Sequence, residues 1–130
     1  MSNVTGFHHI ALNAANFDKS VEFYKSLGLT EYVRWGEDEN RAVMLDMGDG
    51  GKLEIFAKGE AREKIDERFL HLAFCADDID GIYEKVIASG AVSKYAPYDV
   101  SPENAVPSIK MRVAFVYGPD GELLEFFKEI

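Results

Sequence analysis

Phe7-His8-His9-Ile10-Ala11-Leu12 (FHHIAL) is written a second time, in altered letters, as Phe69-Leu70-His71-Leu72-Ala73-Phe74-Cys75-Ala76 (FLHLAFCA). Each stretch is short and apolar, which reads as a strand, and the first stops at Asn13 and a run of small residues. After each one the apolar period lengthens. Phe17, Val21, Tyr24 and Leu27 fall at helical spacing between Asn16, placed as N-cap, and Gly28, placed just past the end. Ile79, Ile82, Val86 and Ile87 do the same between Asp77 or Asp78 and Gly90. His9 precedes Gly28 by 19 positions and His71 precedes Gly90 by 19, so strand, helix and terminator recur at an offset of 62. Asp18 and Asp80 keep the same offset.

Outward from this echo, residues 29–35, 42–47 and 52–57 read as extended pieces, separated by the acidic turn 36–40 and by Gly48-Asp49-Gly50-Gly51. The second half offers residues 92–95, 111–117 and 122–127, the last two flanking Gly118-Pro119-Asp120-Gly121. The expected fold is α+β, two tandem βαβββ modules over residues 5–57 and 69–128. A charged connector, 58–68, joins them within a single domain spanning 1–130. Leu53-Glu54-Ile55-Phe56 aligns with Leu124-Glu125-Phe126-Phe127 at an offset of 71, nine more than 62. The excess is placed in a loop over 96–108 that holds Pro97, Pro102 and Pro107, and a loop that long is expected to cover a substrate.

Composition narrows the function. The net charge is −9 and the 14 basic residues form no run, which argues against a nucleic-acid surface. No apolar run approaches the roughly 20 residues of a membrane span, and no basic-then-apolar leader opens the chain. Cys75 is the only cysteine, so an intrachain disulfide is excluded and a reducing cytoplasm is the expected setting.

Each half carries one His and one Glu at corresponding positions: His9 with Glu54, and His71 with Glu125. Alternation along the strands sets each carboxylate among apolar neighbours, where burial is costly unless the group is paired or binds a metal. A lone His on an apolar strand is ordinarily a core or surface residue, and a lone embedded Glu an ion-pair partner. Recurrence of both types in both halves favours a site for one divalent ion. Two imidazoles and two carboxylates supply nitrogen and oxygen donors suited to Zn, Ni, Co, Fe or Mn. His8 has no counterpart, since Leu70 stands in its place, and alternation assigns it to the opposite strand face. Trp35, Tyr95 and Tyr98 are candidate pocket walls, Arg34, Arg41, Lys110 and Arg112 candidate anion contacts, and Cys75 a small apolar filler.

Taken together, His9-Ile10-Ala11-Leu12, the helix Ser20-Val21-Glu22-Phe23-Tyr24 running into Leu27-Gly28-Leu29, His71-Leu72-Ala73-Phe74, and Ala114-Phe115-Val116-Tyr117-Gly118-Pro119-Asp120-Gly121 leading to Glu125 resemble the vicinal oxygen chelate superfamily over nearly the whole chain. That superfamily includes glyoxalase I, methylmalonyl-CoA epimerase, extradiol dioxygenases and fosfomycin-resistance enzymes. The resemblance implies strands curved into a half-barrel around the metal, a small-molecule substrate and a homodimer. The His, Glu, His, Glu set is that of glyoxalase I. The dioxygenases and fosfomycin enzymes lack a Glu at the position of Glu54, and the epimerase commonly has Gln there. Implied activity is therefore a lactoylglutathione lyase-like reaction through an enediolate of a 2-oxoaldehyde-thiol hemithioacetal, with Glu125 as catalytic base and Glu54 as ligand or second base. An epimerase-like racemase and a non-catalytic antibiotic-binding protein of the same fold are the alternatives. Asn13 departs from the pattern: glyoxalase I typically has an Arg there for a glutathione carboxylate.

Overall fold

The computed structural model describes residues 7–59 and 71–130. Phe69 and Leu70 of the second expected strand, residues 60–68 of the connector and residues 5 and 6 of the first module lie outside the described residues. The chain divides into two compact units, with the boundary between residues 61 and 62.

The first unit runs β1 (His9–Asn13), α1 (Phe17–Ser26), β2 (Thr30–Trp35), β3 (Ala42–Asp46) and β4 (Lys52–Phe56), with a 3-10 turn at Asp38–Asn40. The second runs β5 (Leu72–Cys75), α2 (Ile79–Ala88), β6 (Val92–Val100), β7 (Met111–Tyr117) and β8 (Leu123–Glu129). These are two tandem βαβββ modules, each a four-stranded mixed sheet with one helix. Strand order is β1-β4-β3-β2 in one and β5-β8-β7-β6 in the other. In both, the first strand pairs in parallel with the last, and the remaining contacts are antiparallel.

Local chemistry explains why the helices start and stop where they do. The Asn16 side chain accepts from Lys19 N, and the Asp78 side chain accepts from Gly81 N, each satisfying a donor that the first helical turn leaves free. Gly28 and Gly90 then take φ of 100° and 102°, which a side chain would strain. Phe17, Val21, Phe23 and Tyr24 bury the inner side of α1. In α2 only Ile79 and Val86 are buried, and Ile87 stays exposed.

The centre of each sheet is its apolar core. Val43, Leu45, Leu53 and Ile55 in the first module, and Val113, Val116, Leu124 and Phe126 in the second, are almost fully buried. Each such side chain contributes about 1.5–3 kcal/mol by leaving water. The edge strands differ: every residue of β2 is exposed.

The repeat extends to irregularities. A register shift falls between Glu31 and Val33 where β2 pairs β3, and another between Ser93 and Tyr95 where β6 pairs β7, again at an offset of 62. One expectation needs correcting. Residues 96–100 were expected in a loop, yet β6 continues through them to Val100. Pro97 has no N–H to give a ladder, but β6 is an edge strand and a second register shift, between Tyr95 and Tyr98, spans it. The irregular segment is therefore 101–110.

Candidate metal centre

Strand register brings each His to its Glu. In the parallel β1–β4 pair Ala11 stands opposite Glu54, and His9, two residues earlier, shares the face of Ala11. In the β5–β8 pair Ala73 stands opposite Glu125, and His71 is again two residues earlier, immediately ahead of β5, where the distance to Glu125 rather than the ladder fixes its direction. The result is the same construction twice. His9 Nε2 lies 3.5 Å from Glu54 Oε1, and His71 Nε2 lies 3.0 Å from Glu125 Oε1. Both carboxylates are buried, with residues 9% and 8% exposed, whereas the imidazoles are about a third open to solvent. Met44 of β3 and Phe115 of β7 complete the two registers on the far side of the carboxylates.

Burial pushes the Glu125 carboxyl above its ordinary value, because the charged form loses water; His71 pulls the other way and does not cancel it. A base held in this state binds a proton more readily than a solvated glutamate.

The donor pairs fit a divalent ion. An ion bonded to nitrogen and oxygen at about 2.1 Å holds adjacent donors roughly 3.0 Å apart in octahedral geometry and about 3.4 Å apart in tetrahedral geometry. The two observed separations fall at these values, and they equally suit a hydrogen-bonded imidazolium–carboxylate pair. Among the described residues, no three His, Cys, Asp or Glu side chains gather into one cluster. What the structure brings together is two pairs, one per module.

His8 differs from the expectation of an opposite-face residue. β1 begins at His9, so His8 lies ahead of the strand, where alternation no longer dictates direction. Its Nδ1 stands 2.9 Å from His9 Nδ1, and the two rings meet edge to face with centroids 5.1 Å apart. The sequence carried a signal for this only in the bare adjacency of two histidines.

The other candidates divide. Tyr95 and Tyr98 stand in a row of edge-to-face rings that begins at His71 and passes through Phe115, with centroids 5.7, 5.9 and 6.1 Å apart. Trp35 is exposed on β2, and Cys75 is an exposed free thiol rather than a buried filler. Three of the four candidate anion contacts already hold carboxylates: Arg34 bonds Glu31, Arg41 bonds Asp18, and Arg112 bonds Asp80 and Asp99.

The sequence profile of the Glyoxalase/Bleomycin resistance protein/Dioxygenase superfamily matches residues 6–126. No curated protein matches the chain. Among solved structures, a glyoxalase family protein from Enterococcus faecalis is 26% identical, covering 95% of this chain and 98% of its own at a TM-score of 0.68. A glyoxalase/bleomycin resistance protein/dioxygenase from Alicyclobacillus acidocaldarius is 20% identical, covering 100% of this chain and 96% of its own at a TM-score of 0.69. The fosfomycin resistance protein FosX from Listeria monocytogenes, solved with Mn(II) and a dihydroxypropylphosphonic acid, is 19% identical, with 95% and 90% covered and a TM-score of 0.70. The last two likenesses concern the fold alone. With a profile matched across both modules and the repeated strand register behind it, the chain belongs to the Glyoxalase/Bleomycin resistance protein/Dioxygenase superfamily, the vicinal oxygen chelate fold.

Proposed function

We propose that His9, Glu54, His71 and Glu125 hold one divalent ion, Ni or Zn before Co, Mn or Fe, and that the protein is a glyoxalase I-like lyase or isomerase. Its substrate on this reading is the hemithioacetal of a 2-oxoaldehyde and a thiol. One observation carries the reading: each module pairs an imidazole Nε2 with a buried carboxylate at the same strand register. When bound, the ion supplies positive charge to two vicinal oxygens of the substrate and so stabilises enediolate character. The chain's own part is proton transfer. Glu125, desolvated beside Ala73 and Phe115, takes the proton from the carbon next to the carbonyl and returns it. Glu54 serves as ligand or second base. The protein works as a cytoplasmic homodimer on this reading, and the four donors come from one chain or are shared between two copies.

Asn13 favours a second reading at the thiol end. It is neutral and exposed at the end of β1, so it gives no cation for a glutathione carboxylate, and Arg34, Arg41 and Arg112 are already engaged. A different thiol, or an epimerase-like reaction on a CoA thioester, has the same demand for a base and two oxygens held side by side. A sequestering protein of the same fold would bind without turnover.

Elemental analysis should find about one divalent ion per chain, as one four-donor site requires; no uptake even after reconstitution overturns the metal reading. Assays with methylglyoxal and glutathione, with other thiols, and with CoA-thioester epimerisation then separate the activities. Glu125→Gln is expected to keep Ni or Zn and lose turnover by at least about a hundredfold, the usual contribution of a general base. Unchanged turnover removes Glu125 as the base.

A further inference from the structure

His8 and His9 are the two imidazoles in the described structure that face each other, and they do so nitrogen to nitrogen. Its Nδ1 lies 2.9 Å from His9 Nδ1, a hydrogen-bond distance, while the other nitrogen of His9, Nε2, faces Glu54 Oε1 at 3.5 Å. A neutral imidazole has one N–H and one bare nitrogen, so the contact requires one ring to donate and the other to accept. The two arrangements have opposite consequences for His9. With a proton on His9 Nε2, that N–H points at the Glu54 carboxylate and His9 Nδ1 is bare, so His8 must donate from Nδ1. If His9 Nε2 is instead bare, as a metal ligand must be, its proton sits on Nδ1 and His8 must accept there.

We propose that His8 is the positioning residue of the first half-site, an ambivalent partner whose tautomer follows that of His9 so that His9 Nε2 can be bared for an ion without losing the hydrogen bond that orients the ring. A carbonyl or carboxylate, the common partner of a ligating histidine, supports only the second arrangement. An imidazole supports both, and no net charge changes: one proton passes from Nε2 to Nδ1 on His9 and one from Nδ1 to Nε2 on His8, with water carrying each. The second module has Leu70 at the corresponding position, which has no group to serve this role by its side chain, so the device belongs to one half of the repeat. The proposal rests on the metal reading given above.

The test uses the full-length protein with histidine nitrogens labelled, and its spectra report whether each ring is neutral. Long-range nitrogen–proton spectra assign each tautomer without and with zinc. Zinc should attach at His9 Nε2, and His8, which does not touch the ion, should change from the Nδ1–H to the Nε2–H form. His8→Leu should lower zinc affinity by about tenfold or more, in the range seen when an orienting partner is lost, while His8→Gln, whose amide both donates and accepts, should recover most of it. His8 is exposed and precedes the strand, so amide signals unchanged beyond the immediate neighbours of residue 8 are expected for both variants. A His8 tautomer that stays the same on adding zinc, zinc attached at Nδ1, or wild-type affinity in His8→Leu each overturns the proposal. If wild-type protein takes up no zinc, the metal reading itself falls and the proposal falls with it. A wild type that binds zinc beside an unresponsive His8 sinks the proposal alone.

Discussion

Glu31 and Glu125 show how far two glutamates on one chain diverge when their neighbours differ. Arg34 Nη2 at 2.8 Å and Lys25 Nζ at 3.2 Å hold Glu31 charged and lower its carboxyl to about 2, while burial moves Glu125 in the opposite direction. The first effect belongs to stability. A carboxylate whose folded pKa lies below its unfolded value of 4.5 contributes stability that is complete above 4.5 and lost as pH falls towards 2. Glu31→Gln should therefore lose less stability than wild type between those limits when urea midpoints are compared. About 1 M salt should shrink the difference, because the trio is exposed. Parallel acid curves for the two proteins would show that the trio contributes nothing. At this scale the two His–Glu pairs were legible because each type occurs twice at matching places. His8 was not, since it has no counterpart in the second half, where Leu70 stands in its place.

Helices are the elements that sequence declared most plainly, and the caps explain why. Asn16 and Asp78 are spaced by the repeat and each satisfies an N-terminal donor, at 3.1 Å to Lys19 N and 2.9 Å to Gly81 N. Asp78→Ala should cost about 1 kcal/mol, and Asn16→Ala a similar amount, measured by chemical denaturation. A cost near zero for both would mean that packing of Phe17, Val21 and Val86 alone holds the helices. Strand β6 was harder to read. Pro97 argues against a strand wherever both ladders are needed, and only the edge position of β6 and its register shifts, which depend on partners remote in sequence, make it admissible. α2 erred in the other direction: Ile87 keeps helical spacing but meets solvent.

Two modules with one recipe make up the whole molecule, and the recipe was visible because strand, helix and terminator recur at a fixed offset. The nine-residue discrepancy between the His and Glu offsets was legible as an insertion, but its form was not, because part of it lengthens β6 and only residues 101–110 remain irregular. The recipe also has a temporal side. Hairpins β3–β4 and β7–β8 join neighbours along the chain, whereas β1 must find β4 and β5 must find β8. His9 and Glu54 are 45 residues apart and His71 and Glu125 are 54, so loop closure opposes both encounters until the hairpins exist. Formation of the His–Glu pairs is therefore expected on the descent from the folding barrier, not on its ascent. An ion bound there at a thousand times its dissociation constant would add about 4 kcal/mol to stability. Nearly all of that should appear as slower unfolding, with the refolding rate unmoved in stopped-flow traces. Faster refolding with metal would place β1–β4 or β5–β8 pairing in the nucleus instead. If the proposed site takes up an ion, the parallel closure of each module makes that ion a determinant of kinetic lifetime: the protein would fold at the same speed with or without it, and differ only in how long it stays folded.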